Sequence, residues 1–300
     1  MQPPKGYHDV RDLTAECLAA DLGRLPSVIV GSPPCQDASC ANTRGRGVDG
    51  ERTGLFFEAI RLVGACRPVW CCFENVPGIR TRGADRVLAA LEALGYTCWP
   101  LVVGAWHAGA PHRRNRVWIV AANTDSHGQH GEPGYAEVGR MVGASAADAV
   151  GERSTRITRA GGRQRAEKAP PIFDPGSDAL AELPPAVRAI AERSGWNGGA
   201  GGLARSLRVV NGLSTGLARA CIAAYGDAVV PQITEAIGRV MMRLLPTDGA
   251  VLDLFSGAAG GWSLGLQRAG YRTIAFCEIE PWRHATFSNL HSEEATVYPN

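Results

Sequence analysis

The 300-residue chain predicts an α/β protein: a doubly wound, mostly parallel sheet with a smaller, irregular module inserted into it. Three observations carry this. Short β-branched runs alternate with stretches of helical apolar spacing at both ends of the sequence. Two strand candidates, Ser27–Gly31 and Val69–Phe73, read as buried, and strands alternating with helices imply a parallel sheet covered on both faces. Between these zones, 124–214 is rich in Gly, Ala, Arg and Ser, has weak periodicity, and contains the linker-like run S-G-W-N-G-G-A-G-G at 194–202. The expected division is a catalytic first part over 1–123, a separate module over 124–214 and a second catalytic part over 215–300.

Each element has its own signal. Ser27–Gly31 (S-V-I-V-G) is a β-branched run closed by Gly and Pro, a buried-strand pattern. Leu55–Ala65 has helical apolar spacing, and Val69–Phe73 is a second buried strand with Cys71 and Cys72 in its core. Arg86–Leu94 is a helix stopped at Gly95, a favoured position for glycine. Thr97–Val103 and Val117–Ala121 are further strands. Pro231–Leu245 is a helix opened by proline. Strand Ala250–Phe255, a glycine-rich turn, a helix ending at Ala269, strand Arg272–Glu278 and a helix from Pro281 complete the pattern.

Bulk properties exclude several classes. A 45% hydrophobic share is enough for a real core. No apolar run spans a bilayer and the N-terminus lacks a signal-peptide pattern, so a cytoplasmic protein with no membrane contact is expected. Nine cysteines without regular spacing point to free thiols and no zinc site. The net charge of +2 does not announce a nucleic-acid binder. Six basic residues against two acidic ones between Gly151 and Lys168 read equally as a solvated face or as phosphate contacts.

Four local patterns suggest chemistry, and each also has a structural explanation. Asp253–Gly261 (D-L-F-S-G-A-A-G-G) is a strand-to-helix turn where glycines let backbone approach a ligand, with Glu278 ending the next strand and suited to two ribose hydroxyls. The dinucleotide fingerprint G-x-G-x-x-G is absent, which argues against NAD. Cys35, on a proline-stiffened loop after a strand, is placed as a nucleophile or is a buried small hydrophobe. Glu74 in E-N-V is a carboxylic acid held neutral or an ion-pair partner. Arg114 and Arg116, two residues apart on an extended chain, point to one side and clamp an anion or base, or decorate a sheet edge.

Taken together, P-P-C-Q at 33–36, R-T-G-L at 52–55, E-N-V at 74–76, P-H-R-R-N-R at 111–116, G-D-A-V-V-P-Q at 226–232, D-L-F-S-G-A-A-G-G at 253–261 and C-E-I-E-P-W at 277–282 resemble the DNA cytosine-5 methyltransferase family. The resemblance covers nearly everything outside 124–206. It implies a Rossmann-like S-adenosylmethionine-dependent methyltransferase domain with a smaller target recognition domain, acting on carbon 5 of a flipped cytosine in double-stranded DNA. S-adenosylmethionine would be a substrate and S-adenosylhomocysteine a product. The chain would act as a monomer in a bacterial or phage-infected cell, with a restriction endonuclease as a separate partner.

By the same resemblance, Cys35 is the nucleophile, Glu74 contacts the ring nitrogen N3 and the exocyclic amine, and Arg114 and Arg116 hold the base, a phosphate or the loop. Gln36–Gly54 would be a mobile loop closing over the base. Phe255, Ser256, Gly257, Gly260 and Gly261 would form the cofactor turn, and Glu278, Ile279 and Trp282 the ribose and adenine walls. Asp9 and Val10 would read the adenine edge, with Pro33, Leu55, Asp227 and Val229 lining the pocket. Asp227 stands where the family usually has asparagine, and His112 where it usually has glutamine.

The motif order is that of a circular permutation: in most of the family D-L-F-x-G precedes P-C, and here it follows. The chain ends, Met1 and Asn300, are therefore expected to be exposed and close together. The rival readings are a transfer-RNA cytosine-5 methyltransferase and a non-catalytic DNA- or S-adenosylmethionine-binding relative.

Overall fold

A computed structural model describes residues 3–39, 42, 44–108, 114–126, 142 and 228–291. Its strands are β1 (Lys5–Tyr7), β2 (Val28–Gly31), β3 (Trp70–Asn75), β4 (Tyr96–Gly104), β5 (Asn115–Asn123), β6 (Ala250–Leu254) and β7 (Arg272–Cys277). Its α-helices are α1 (Ala15–Leu22), α2 (Phe56–Cys66), α3 (Ala84–Ala93), α4 (Pro231–Leu244), α5 (Gly261–Arg268) and α6 (Pro281–Leu290). The strands form one seven-stranded sheet in the order β1-β7-β6-β2-β3-β5-β4.

The sheet is parallel from β1 through β3. Strand β5 runs antiparallel to both of its neighbours. The ten residues between β4 and β5 are too few for a helical crossover, which forces the reversal. The mostly parallel α/β architecture is the one the sequence predicts.

Central strands β2, β3 and β6 are buried at every residue, and successive side chains feed two cores. One core packs Ile29, Cys71, Phe73 and Leu252 against α1, α2 and α3. The other packs Val28, Trp70, Cys72 and Val251 against α4 and α5. Helix α6 joins this second face, where Phe287 stacks on Phe276 with centroids 4.1 Å apart. The helix after β6 and the helix after β2 therefore lie on opposite faces, so the winding reverses between these neighbouring strands. A crevice outside the carboxyl ends of the strands opens at such a reversal.

Predicted elements fall within about two residues of the observed ones, which is the usual boundary scatter. Two elements carry no prediction. Lys5-Gly6-Tyr7 shows no apolar pattern, and it is a strand because the edge of β7 pairs with it. Helix α1 does have local signals: the Thr14 hydroxyl accepts from Cys17 N (3.2 Å), and Gly23 closes the helix in the left-handed region. Among the described residues no helix is long and apolar enough to cross a membrane. Most of the 124–214 module, the basic run within 151–168, and the two chain ends lie outside the described residues. Val142 is described and is buried in the second core.

Candidate active site

The carboxyl ends of β6, β2 and β3 open onto a cleft of about 370 Å³. Cys35, Glu74 and Arg116 line it together with Phe255, Gly257, Glu278, Ile279, Pro33 and Leu55. These are nine of the residues singled out in the sequence, drawn from both ends of the chain. Gln36, Arg52, Val76 and Glu280, which belong to the same motifs without a role of their own, also line the cleft, as do Ser32 and Arg283, which lie outside them. Asp227 and His112 lie outside the described residues.

The loop carrying the thiol is held from β3. Asn75 Nδ2 donates to Pro33 O at 3.1 Å, and its Oδ1 accepts from Val76 N at 2.9 Å. Cys35 O accepts from Ala38 N (3.1 Å) and Ser39 N (2.8 Å), so a tight turn begins at the cysteine. The half-buried Cys35 thiol is in no disulfide, nor is any other described cysteine. Two residues without a predicted role also bind this loop. The Asp37 carboxylate accepts from Arg52 N and Thr53 N, and Arg82 donates to Ser39 O and Asn42 O.

Glu74 is buried and pairs with Arg116, Nε to Oε1 at 2.8 Å. Burial raises its carboxyl above the ordinary carboxylate range, against the lowering pull of Arg116 and Arg114 and of Ser32 beside it. A glutamic acid so placed can hold a proton or share one with a substrate nitrogen. Only one of the two arginines lies on an extended chain. Arg114 precedes β5 with φ 36°, so strand alternation does not reach it, and its guanidinium binds Ala228 O. This ties the start of β5 to the segment entering α4.

At the turn after β6, Gly257 N donates to Glu278 Oε2 (2.9 Å) and Glu280 N donates to Oε1 (3.0 Å). Each oxygen keeps a lone pair, enough for two ribose hydroxyls. Phe255 is in the left-handed region at φ 53°, which turns the backbone into the cleft. A Cβ at Gly257 (φ 67°) would meet open space, so this glycine leaves room for a ligand. Gly260 and Gly261 have another reason: a Cβ would come within 2.2 Å of Phe287 and 2.5 Å of Val229 O. Ser256 is buried with its N donating to Cys277 O.

Ile279 and Trp282 are exposed at the mouth, at 56% and 41%. Only Ile279 lines the cleft itself. Asp9 is engaged by Arg11, whose backbone N and Nε both approach Oδ1 at 2.9 Å. Val10 turns its side chain into the first core, while its carbonyl, with that of Leu13, accepts from Arg61 of α2. Arg61 is a further residue that motif reading misses, because only the fold brings α2 beneath this loop.

Comparison with known proteins agrees with this geometry. The family model for C-5 cytosine-specific DNA methylases matches residues 3–152, half of the chain. Type II methyltransferase M2.BsuMI of Bacillus subtilis is 35% identical over 112 residues, covering 34% of this chain and 28% of that protein. Type II methyltransferase M.FnuDI of Fusobacterium nucleatum is 31% identical over 121 residues, covering 39% and 33%. The matched stretch thus spans about a third or less of either relative's length. The S. pombe Dnmt2 methyltransferase, at 20% identity, aligns over 44% of this chain and 37% of that one with a TM-score of 0.33, and the fold assignment rests on the sheet itself. With the Cys35 loop, the E-N-V strand and the Arg114–Arg116 segment all inside the matched residues, the chain belongs to the C-5 cytosine-specific DNA methylase family.

Proposed function

We propose that this chain is a DNA cytosine-5 methyltransferase. It would move a methyl group from S-adenosylmethionine to carbon 5 of a cytosine flipped out of duplex DNA, through a covalent adduct with Cys35. One observation carries the reading: Cys35, the Glu74–Arg116 pair and the Phe255–Gly257–Glu278 turn face one cleft. Open space over Gly257 and the unused lone pairs of Glu278 fit the cofactor.

The chemistry follows from the side chains. Cytosine carbon 5 is a poor nucleophile. Addition of the Cys35 thiolate to carbon 6 forms an S–C bond and shifts the ring's electron pair toward carbon 5. Glu74 holds a proton at N3 and Arg116 holds the carboxyl in place, so charge developing on the ring is neutralised as it appears. S-adenosylmethionine supplies an electrophilic methyl group when bound. Carbon 5 accepts that group, its proton leaves to water, and the S–C6 bond breaks to return the electron pair to Cys35. Reaching a stacked base requires flipping, at a cost of a few kcal/mol.

The domain reading belongs to the same proposal: 1–123 and 215–300 make the catalytic domain and 124–214 the target recognition domain, on a chain in permuted order. The sheet supports this, because β6, β7 and β1 are consecutive neighbours although they come from opposite ends of the sequence. M2.BsuMI and M.FnuDI are Type II methyltransferases, which favours a role beside a restriction endonuclease. The test is covalent capture. A duplex with 5-fluorocytosine at every cytosine should become attached to the wild-type chain in the presence of S-adenosylmethionine and not to Cys35→Ala. Absence of any adduct, or capture of the equivalent transfer RNA instead, overturns the proposal.

A further inference from the structure

The stretch from Gln36 to Gly54 carries Gly45, Gly47, Gly50 and Gly54, the composition of a loose loop. Its described backbone is instead tied to two side chains. Asp37, two residues beyond the nucleophile, binds both arms of the loop. Its N donates to the buried Thr53 hydroxyl at 3.2 Å, and its carboxylate accepts from Arg52 N at 3.2 Å and Thr53 N at 3.3 Å. Its carbonyl accepts from Gly47 N at 3.0 Å.

Arg82 binds the same loop from outside. Its Nη1 donates to Ser39 O (2.9 Å) and Asn42 O (2.8 Å), and its own carbonyl accepts from Val48 N (3.1 Å). Gly47, at φ 62°, presses so closely on this carbonyl that a Cβ would come within 2.1 Å of it.

Arg82 ends the segment that begins at Glu74. That segment touches the nucleophile loop at both flanks: Asn75 at Pro33 O upstream of Cys35, and Arg82 at Ser39 O and Asn42 O downstream. Glu74, which lines the cleft, and the two braces on the cysteine loop therefore belong to one continuous segment. One nitrogen, Nη1, donates to both carbonyls, so the Arg82 guanidinium holds Ser39 and Asn42 against a single point.

We propose that Arg82 and Asp37 are positioning residues that hold the Cys35 loop in register with Glu74, and that their loss slows attack on the base without weakening the cofactor site. This rests on the methyltransferase reading above. The test uses the full chain and the variants Arg82→Ala, Arg82→Lys and Asp37→Asn. It measures the initial rate of capture of the 5-fluorocytosine duplex at saturating S-adenosylmethionine, the Kd for S-adenosylhomocysteine, and tryptic cleavage at Arg44 and Arg46.

Misplacing a reacting group by an ångström costs on the order of a hundredfold, so Arg82→Ala and Asp37→Asn should capture at least about tenfold more slowly. Their S-adenosylhomocysteine Kd should stay within about twofold of wild type, since no cofactor-side contact is lost, and cleavage at Arg44 and Arg46 should be faster. Arg82→Lys should recover part of the rate. Capture at the wild-type rate by Arg82→Ala overturns the proposal, as does a parallel fall of rate and cofactor affinity in all three variants. If the wild type forms no adduct, the methyltransferase reading fails and proteolysis decides the bracing alone: faster cleavage in the variants upholds it, and equal cleavage overturns it.

Discussion

Asp253 is fully buried where β6 leads into the cofactor turn, and its Oδ2 accepts from Ser263 N (3.2 Å) and Oγ (2.6 Å). Burial pushes its carboxyl up to about 7 from an ordinary 3.8, with Glu278 adding to the rise and the two serine bonds opposing it. Between those values the folded chain binds more protons than the unfolded one. The stability contribution is therefore complete below about pH 4 and is lost as pH climbs through about 7. Asp253→Asn keeps the acceptor for Ser263 and removes the titration. Its stability relative to wild type should rise from pH 5 to pH 8 by on the order of 1–3 kcal/mol, read from denaturant midpoints. An unchanged difference at the two pH values would contradict the burial argument.

Glu74 behaves differently because it has a partner. Arg116→Ala leaves a buried carboxylate uncompensated, and removing one member of such a pair costs about 2–4 kcal/mol here, allowing for Arg116's partial exposure. Glu74 escapes part of that cost by taking up a proton. The loss should be smaller at pH 5 than at pH 8, and equal losses in denaturation at the two pH values would mean that Glu74 keeps one protonation state across that range.

At the scale of elements, α2 connects the two halves of the site. Its N-terminal neighbour Leu55 lines the cleft, and Arg61, nearly two turns further on, donates to Val10 O and Leu13 O. Arg61→Ala should release the loop after β1 and weaken S-adenosylhomocysteine binding about fivefold or more, given that hydrogen bonds from charged donors contribute about 1.5–3 kcal/mol. Calorimetric titration checks this, and wild-type affinity would show that the loop plays no part in the cofactor site. The glycine-rich turn separates in the same way. Gly257→Ala should abolish cofactor binding at a stability cost of only about 1–2 kcal/mol, the left-handed penalty, because the added methyl meets open cleft. Gly261→Ala should instead lower the melting temperature, because its methyl meets the Val229 carbonyl.

At the scale of the molecule, β1 pairs with β7, and His8 stacks on His284 with centroids 4.2 Å apart, so segments near the two ends of the sequence share one edge of the sheet. If the chain is a permuted family member, a rearranged gene running 215–300 and then 1–214 through a short Gly/Ser linker should give a folded protein that still captures the 5-fluorocytosine duplex. Loss of folding in that rearrangement would count against the permutation.

Apolar runs that are buried on both faces were enough to locate β2, β3 and β6, because a strand covered on both sides must be hydrophobic throughout. Motif chemistry singled out Cys35, Glu74, Arg116, Phe255, Gly257 and Glu278, and the structure brings all six to one cleft, since strand ends carry the loops that open onto it. The sequence by itself could not show β1, whose strand character comes from the edge of β7. Nor could it show that Gly261 serves packing while Gly257 leaves open space, that Arg114 leaves the strand path, or that Asp37, Arg61 and Arg82 brace the loops. Those roles depend on contacts between residues far apart in sequence, from Arg61 to Val10, 51 positions away, to Arg114 and Ala228, 114 positions apart, and the pairing of β1 with β7. Local propensity and spacing carry no record of such contacts, and only the tertiary packing of the segments creates them.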